Sequence, residues 1–318
     1  MVSHRTTEPA SMSDGHAGTG ESPAYATRSY EEALALRPSL DAGLAAAFGG
    51  IPPADDVRVT VHSARAEDGH EIELRLHERM ETPARGSAVV YVHGGSMVAG
   101  RLDDYERLVN HYVHHTGVPF LSVGYRLAPE HQGTVPAADA FAGVRWLFEN
   151  ARRLDVDRAR IAVMGDSAGG GIGAGAVLLA REQGLRPAAQ ILIYPTLDDR
   201  TVIPDPTLTE HVVWSYAGNR TAWTALLGTA RGTDSVPAAA APARTTDFAG
   251  LPPTYLEVGQ LDILRDEAVA YAQALYRAGV PCELHVRPSA VHGFDWIDPA
   301  AEIARQAMRD RVRVIGSL

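Results

Sequence analysis

Apolar residues follow two different periods along this chain. Val57, Val59 and Val61 alternate with polar neighbours, Asp68-Gly69 supplies a turn, and Ile72, Leu74 and Leu76 alternate again, which predicts an antiparallel hairpin. From residue 88 onward the pattern changes to short, nearly continuous apolar runs at residues 88–92, 118–123, 161–164, 190–194, 254–258 and 283–286. Runs of that kind suit parallel strands covered on both faces. Helical segments lie between them, one opening at Thr134 with Pro136 in its first turn and carrying Phe141, Val144, Trp146 and Leu147. Strand alternating with helix predicts an α/β fold, an eight-stranded and mostly parallel sheet whose first two strands are antiparallel, with helices on both faces.

Two stretches break the alternation. Residues 24–50 carry Tyr30, Leu34, Leu36, Leu40, Leu44 and Phe48, while residues 199–250 carry Trp214, Tyr216, Trp223, Leu226 and Leu227 before a Pro/Ala/Thr-rich passage. Both are expected outside the sheet and together form a helical lid, which divides the core into residues 51–198 and 251–318. The alternative is two decorations with local cores of their own. Residues 1–23, rich in Ser, Thr, Gly and His, are expected to be a flexible tail without an apolar signal-peptide core. The longest small-apolar run, residues 167–180, falls short of the ~20 residues a membrane span needs. A cytoplasmic protein with no membrane span is the expectation.

Composition removes several chemistries. The Lys+Arg total of 29 is all arginine, and a chain without lysine has no Walker lysine, no Schiff-base or pyridoxal lysine and no Ser-x-x-Lys nucleophile. A net charge of -10 gives a phosphate backbone no general attraction, so nucleic acid is not expected as a partner. Cys282 is the single cysteine, which excludes an intrachain disulfide and any multi-cysteine zinc or iron–sulfur site; beside Pro281 it reads as a small buried residue. His111, His114 and His115 have a zinc-like helical spacing but no acidic or cysteine ligand nearby, and read as a solvated face.

Gly165-Asp166-Ser167-Ala168-Gly169 fits Gly-x-Ser-x-Gly, between an apolar strand ending at Met164 and a Gly/Ala/Leu-rich helix. In this pattern the serine stands on a sharp strand-to-helix turn, the nucleophile elbow of α/β-hydrolases, where flanking side chains would strike the backbone. The turn also aims the Ala168 N–H and the helix N-terminus at the place where an oxyanion forms. Residues 169–174 contain a Gly-x-Gly-x-x-Ala pattern too, but after the fifth strand and with no acidic residue ending the next, so these glycines read as close helix packing and not as a dinucleotide site. A serine hydroxyl needs a base, and the base needs an acid to hold its tautomer. In the chain order Ser, acid, His, the loops after the seventh and eighth strands supply Asp262 and His292. Asp266 better suits a helix N-terminus, and Asp295 lies too near His292 in sequence to reach its ring comfortably.

A further motif, His93-Gly94-Gly95-Ser96, follows the third strand. Together with Tyr125-Arg126-Leu127-Ala128-Pro129-Glu130, Gly165-Asp166-Ser167-Ala168-Gly169-Gly170, Gly250-Leu251-Pro252-Pro253 and His292-Gly293-Phe294, it resembles the hormone-sensitive-lipase family of esterases (bacterial group IV) over roughly residues 85–315. The resemblance implies the α/β-hydrolase fold, a lid that caps the pocket, and Ser167, Asp262 and His292 as a catalytic triad. It implies an oxyanion hole from Gly94, Gly95, Ser96 and Ala168, with His93 as a brace for that loop. Where the family usually has a third glycine and an aromatic, this chain has Ser96 and Met97, and Met97 joins Asp166, Trp214 and Tyr216 as candidates for the substrate pocket. The expected activity is that of a serine carboxylesterase acting on small, short-chain esters through an acyl-enzyme, with no cofactor and no metal; the resemblance mildly favours a homodimer. A deacetylase or transacylase acting on one natural product would use the same residues. A non-catalytic small-molecule receptor on the same fold usually lacks the histidine that is present here as His292.

Overall fold

A computed structural model describes residues 23–80, 86–208 and 213–318. Helix α1 (Pro23–Gly49) precedes the hairpin β1 (Val57–Arg65) and β2 (Glu71–Arg79). Then follow β3 (Ala88–Val92), α2 (Leu102–Thr116), β4 (Phe120–Val123), α3 (Val135–Asn150), β5 (Ile161–Asp166) and α4 (Ala168–Glu182). The chain continues through β6 (Ala189–Ile193), α5 (Tyr216–Leu227), β7 (Thr254–Gly259), α6 (Arg265–Arg277) and β8 (Cys282–Arg287), and ends with the short α7 (Phe294–Ile297) and α8 (Glu302–Gly316). The tail expected at residues 1–23 lies outside the described residues apart from Pro23, which opens α1.

All eight strands form one sheet in the order β1-β2-β4-β3-β5-β6-β7-β8. The β1/β2 and β2/β4 pairs are antiparallel, and every pair from β4/β3 to β7/β8 is parallel. The two sequence periods have a direct cause here. The first residues of β2 alternate between solvent and core, whereas every residue of β3, β4, β5 and β7 is buried, because packed chain covers both faces of the middle of the sheet. Helix α2 shows the complementary pattern: Leu102, Tyr105, Leu108, Val109, Tyr112, Val113 and Thr116 form its buried stripe. Asp103 and Asp104 in its first turn favour the helix dipole, and Gly117 ends it at φ 68°.

The two stretches that broke the alternation meet in space, with α1 packed against both α2 and α5. Trp223 of α5 is buried in the main core, so only part of the aromatic content of residues 199–250 faces the space beneath α1. Cys282, expected to be buried, is half-buried at the start of the edge strand β8. Among the described residues no helix is long and apolar enough to cross a membrane.

Candidate active site

β5 ends at Asp166 and α4 begins at Ala168, which leaves Ser167 alone between them at φ 53° and ψ -123°. Such a backbone costs about 1–3 kcal/mol for a non-glycine residue and persists only where the surroundings over-determine it. They do so here. A Cβ on Gly165 would lie 2.3 Å from the Gly169 carbonyl oxygen, and one on Gly169 would lie 2.1 Å from that of Val92. The elbow is wedged under the end of β3, and both flanking positions have room only for hydrogen. Gly171 approaches Thr196 O in the same way, at 1.9 Å from its absent Cβ, which accounts for the glycine run as helix packing.

Because β7 and β8 are parallel neighbours, the loops beyond them lie side by side. The Ser167 Oγ is 3.0 Å from His292 Nε2, and His292 Nδ1 is 2.7 Å from Asp262 Oδ2. Asp262 is fully buried, and its other oxygen accepts the Leu264 N–H at 3.0 Å. Burial works to lower the His292 pKa, but the Asp262 carboxylate outweighs it and holds the imidazolium above the ordinary 6.5. The two competing acids are engaged elsewhere. Asp266 sits in the first turn of α6 beside Arg265, and Asp295 is bound by Arg311 and by the Tyr194 hydroxyl, which donates to it at 3.0 Å.

After β3 the chain turns sharply through Gly95 at φ 112°, Ser96 at 58° and Met97 at 66°. Val98 and Ala99 N–H groups close the turn on Gly95 O at 3.1 and 2.9 Å. The backbone N–H groups of Gly94, Gly95, Ser96 and Ala168 donate to no acceptor among the described residues. Main-chain donors rarely stay unpaired in a folded interior, so this cluster is suited to receiving an anionic oxygen. His93 stacks on Tyr125 at 4.3 Å between ring centroids, and burial pushes its pKa down to about 4, so it is a neutral ring at pH 7.

Helix α1 grips this turn at both ends. The Arg37 Nε–H donates to Val98 O at 2.5 Å, its terminal nitrogens fork onto Glu130 at 2.7 and 2.6 Å, and Asp41 accepts the Gly100 N–H at 2.8 Å. Neither Arg37 nor Asp41 carries a motif that would single it out. The informative signal was Glu130, an acid at the end of a recognised motif that needed a cation partner.

These groups open into a cavity of about 160 Å³, walled by Leu40, Leu44, Tyr194, Trp214 and Trp296 together with Gly95, Ser96, Asp166, Ser167 and His292. Of the four residues proposed for this wall, Asp166 and Trp214 line it. Met97 does not: the left-handed turn carries its side chain into the core, where it is 2% exposed, and its carbonyl accepts the Ala128 N–H. Tyr216 also lies elsewhere, packed with Ile263 and Leu264, its hydroxyl accepting the Asp205 N–H at 3.2 Å. Asp166 accepts the Tyr91 hydroxyl at 2.5 Å; burial raises its pKa to about 6 against the opposing pull of that hydrogen bond.

Below the histidine loop lies a buried charge network that sequence reading did not anticipate. Arg311 of α8, 1% exposed, binds Glu257 of β7 and Asp295 together. Glu257 also takes Arg287 at 2.9 Å. Tyr194, tethered to Asp295, presents its ring edge-on to His292 at 4.9 Å between centroids. The C-terminal helix thereby anchors the segment that follows His292.

Known proteins share this fold. The profile of the alpha/beta hydrolase fold family matches residues 89–295. The chain is 37% identical to the esterase LipI of Mycobacterium tuberculosis over 215 residues, a segment that spans 66% of each protein. It is 32% identical to an ethyl acetate hydrolase of Pseudomonas putida over 73% of this chain and 74% of that one. The solved structure of a bacterial heroin esterase superimposes with a TM-score of 0.83 at 32% identity, covering 91% of this chain and 92% of the other. On these grounds the chain belongs to the α/β-hydrolase family, among its carboxylic ester hydrolases of the hormone-sensitive-lipase type.

Proposed function

We propose that this protein hydrolyses short-chain carboxylic esters with Ser167 as nucleophile. The Ser167 hydroxyl gives its proton to His292 Nε2 as Oγ attacks the ester carbonyl, and the resulting oxyanion is received by the N–H groups around Gly95, Ser96 and Ala168. His292 then hands the proton to the departing alcohol, leaving an acyl-enzyme. Water repeats the sequence, with His292 again as base, and releases the acid. Asp262 keeps the Nδ1 proton in place and stabilises the imidazolium while it exists. The single observation behind this reading is the continuous chain from Ser167 Oγ to His292 at 3.0 Å and from His292 to Asp262 at 2.7 Å, beside unpaired main-chain donors.

The preference for short chains is supported by size. A cavity of about 160 Å³ lies below the roughly 300–1,000 Å³ of sites that enclose drug-sized ligands. The likeness to an enzyme named for ethyl acetate points the same way. The test is hydrolysis of p-nitrophenyl acetate, butyrate and longer esters by wild type and Ser167→Ala. Activity should peak at four carbons or fewer and fall by about 10⁴-fold or more in the variant. Equal rates for the two proteins would end the proposal.

A further inference from the structure

We infer that Trp296 sets the length of ester this site accepts, by closing the catalytic cavity off from a second, apolar chamber beside it. The inference rests on the esterase reading above and deepens it. The chamber holds about 520 Å³, more than three times the 160 Å³ of the cavity at Ser167. It falls inside the roughly 300–1,000 Å³ range of small-molecule sites.

Two helices show how the spaces adjoin. On α1, Leu40 and Leu44 line the catalytic cavity, and the next turn, with Ala47 and Phe48, lines the chamber. On α2, Tyr105 lines the cavity and Leu108 the chamber. Trp296 is the one described residue common to both walls.

The indole is a fixed wall and not a swinging door. Gly293, directly after His292, has φ 67°, and a Cβ there would lie 2.2 Å from the indole ring atoms. The ring therefore rests on bare backbone next to the histidine. Phe48 meets it edge-on at 6.4 Å, and Phe48 in turn packs on Tyr105 at 4.7 Å. Its chain neighbour Asp295 is held by Arg311 and Tyr194. With the indole in place, a straight hydrocarbon arm attached at Ser167 has only the small cavity. With it removed, the arm gains an apolar path into the chamber, where each methylene buried adds about fourfold to binding.

Trp296→Ala and the milder Trp296→Leu test this, each assayed on p-nitrophenyl esters from acetate to decanoate and on n-alkyl acetates of the same lengths. The expected result is a rise of at least tenfold in the ten-carbon to four-carbon ratio of kcat/KM in one of the two series, larger for alanine than for leucine. Adding Met308→Trp, which refills the chamber from another of its lining positions, should return that ratio toward the wild-type value. The leucine variant keeps an apolar side chain over Gly293 and decides the matter should the alanine variant fail to fold. An unchanged ratio, or one that Met308→Trp does not reverse, overturns the role of Trp296 while the esterase reading stands. A wild-type protein that cleaves none of these esters overturns the esterase reading instead.

Discussion

Replacing Asp262 by asparagine alters almost nothing in shape, yet it should disable the site through the placement of one proton. Asp262 Oδ1 accepts the buried Leu264 N–H at 3.0 Å, and Oδ2 lies 2.7 Å from His292 Nδ1. In the variant the amide oxygen stays with Leu264, because turning it away would leave a buried donor unpaired at a cost of about 1–3 kcal/mol. The amide NH₂ then faces His292. Nδ1 must accept, so the ring proton moves to Nε2, 3.0 Å from the Ser167 oxygen. An imidazole in that tautomer cannot take the hydroxyl proton, and the carboxylate charge that steadied the imidazolium is gone as well. The loss in kcat should be about 10⁴-fold, the scale measured for the same change in a serine protease. That is about 5 kcal/mol of transition-state stabilisation. Steady-state hydrolysis of p-nitrophenyl butyrate reads it directly, with KM changing little and the melting temperature confirming the fold. A folded variant within tenfold of the wild-type rate would refute the reasoning, since some other group would then be orienting the ring.

The raised His292 pKa gives a pH prediction of definite sign. Asp262 favours the protonated ring, so the base is silenced at low pH and kcat/KM should climb through a midpoint above 6.5; a midpoint at or below that value would contradict the dominance of the carboxylate over burial. Arg311→Met removes the cation shared by Glu257 and Asp295, and stranding buried carboxylates in this way typically costs about 3–5 kcal/mol. Denaturant unfolding should show a loss of that size together with a lower kcat; a loss under about 1 kcal/mol would mean that Arg287 and Tyr194 suffice to satisfy the two acids.

What could be read in the sequence is what short-range physics constrains. Five of the six apolar runs become strands with both sheet faces covered, the sixth, at residues 283–286, becomes the half-exposed edge strand β8, and Gly165 and Gly169 flank Ser167 because backbone atoms stand where their Cβ would be. Asp262 could be preferred to Asp295 on spacing alone, but the reason Asp295 is engaged is Arg311, which comes from another helix and lies in no motif. Met97 stands where the resemblance puts an aromatic beside the pocket and Tyr216 in the stretch it gives to the lid, but a left-handed backbone at one and a local cluster at the other turn them elsewhere. Arg37 and Asp41 read as ordinary polar positions on a helix, since their partners Val98 and Gly100 are distant in sequence. Trp296 likewise acquires meaning only as the border of two spaces that no linear pattern encodes.

Helix α1 roofs the catalytic cavity with Leu40 and Leu44 and, through Arg37 and Asp41, also braces the strained turn whose Gly95 and Ser96 line that cavity with Ser167. Roof and turn are therefore one mechanical unit. An excursion of α1 that lifted this roof would slacken the turn as well, so the shape of the pocket and the strain stored beside Ser167 rise and fall together.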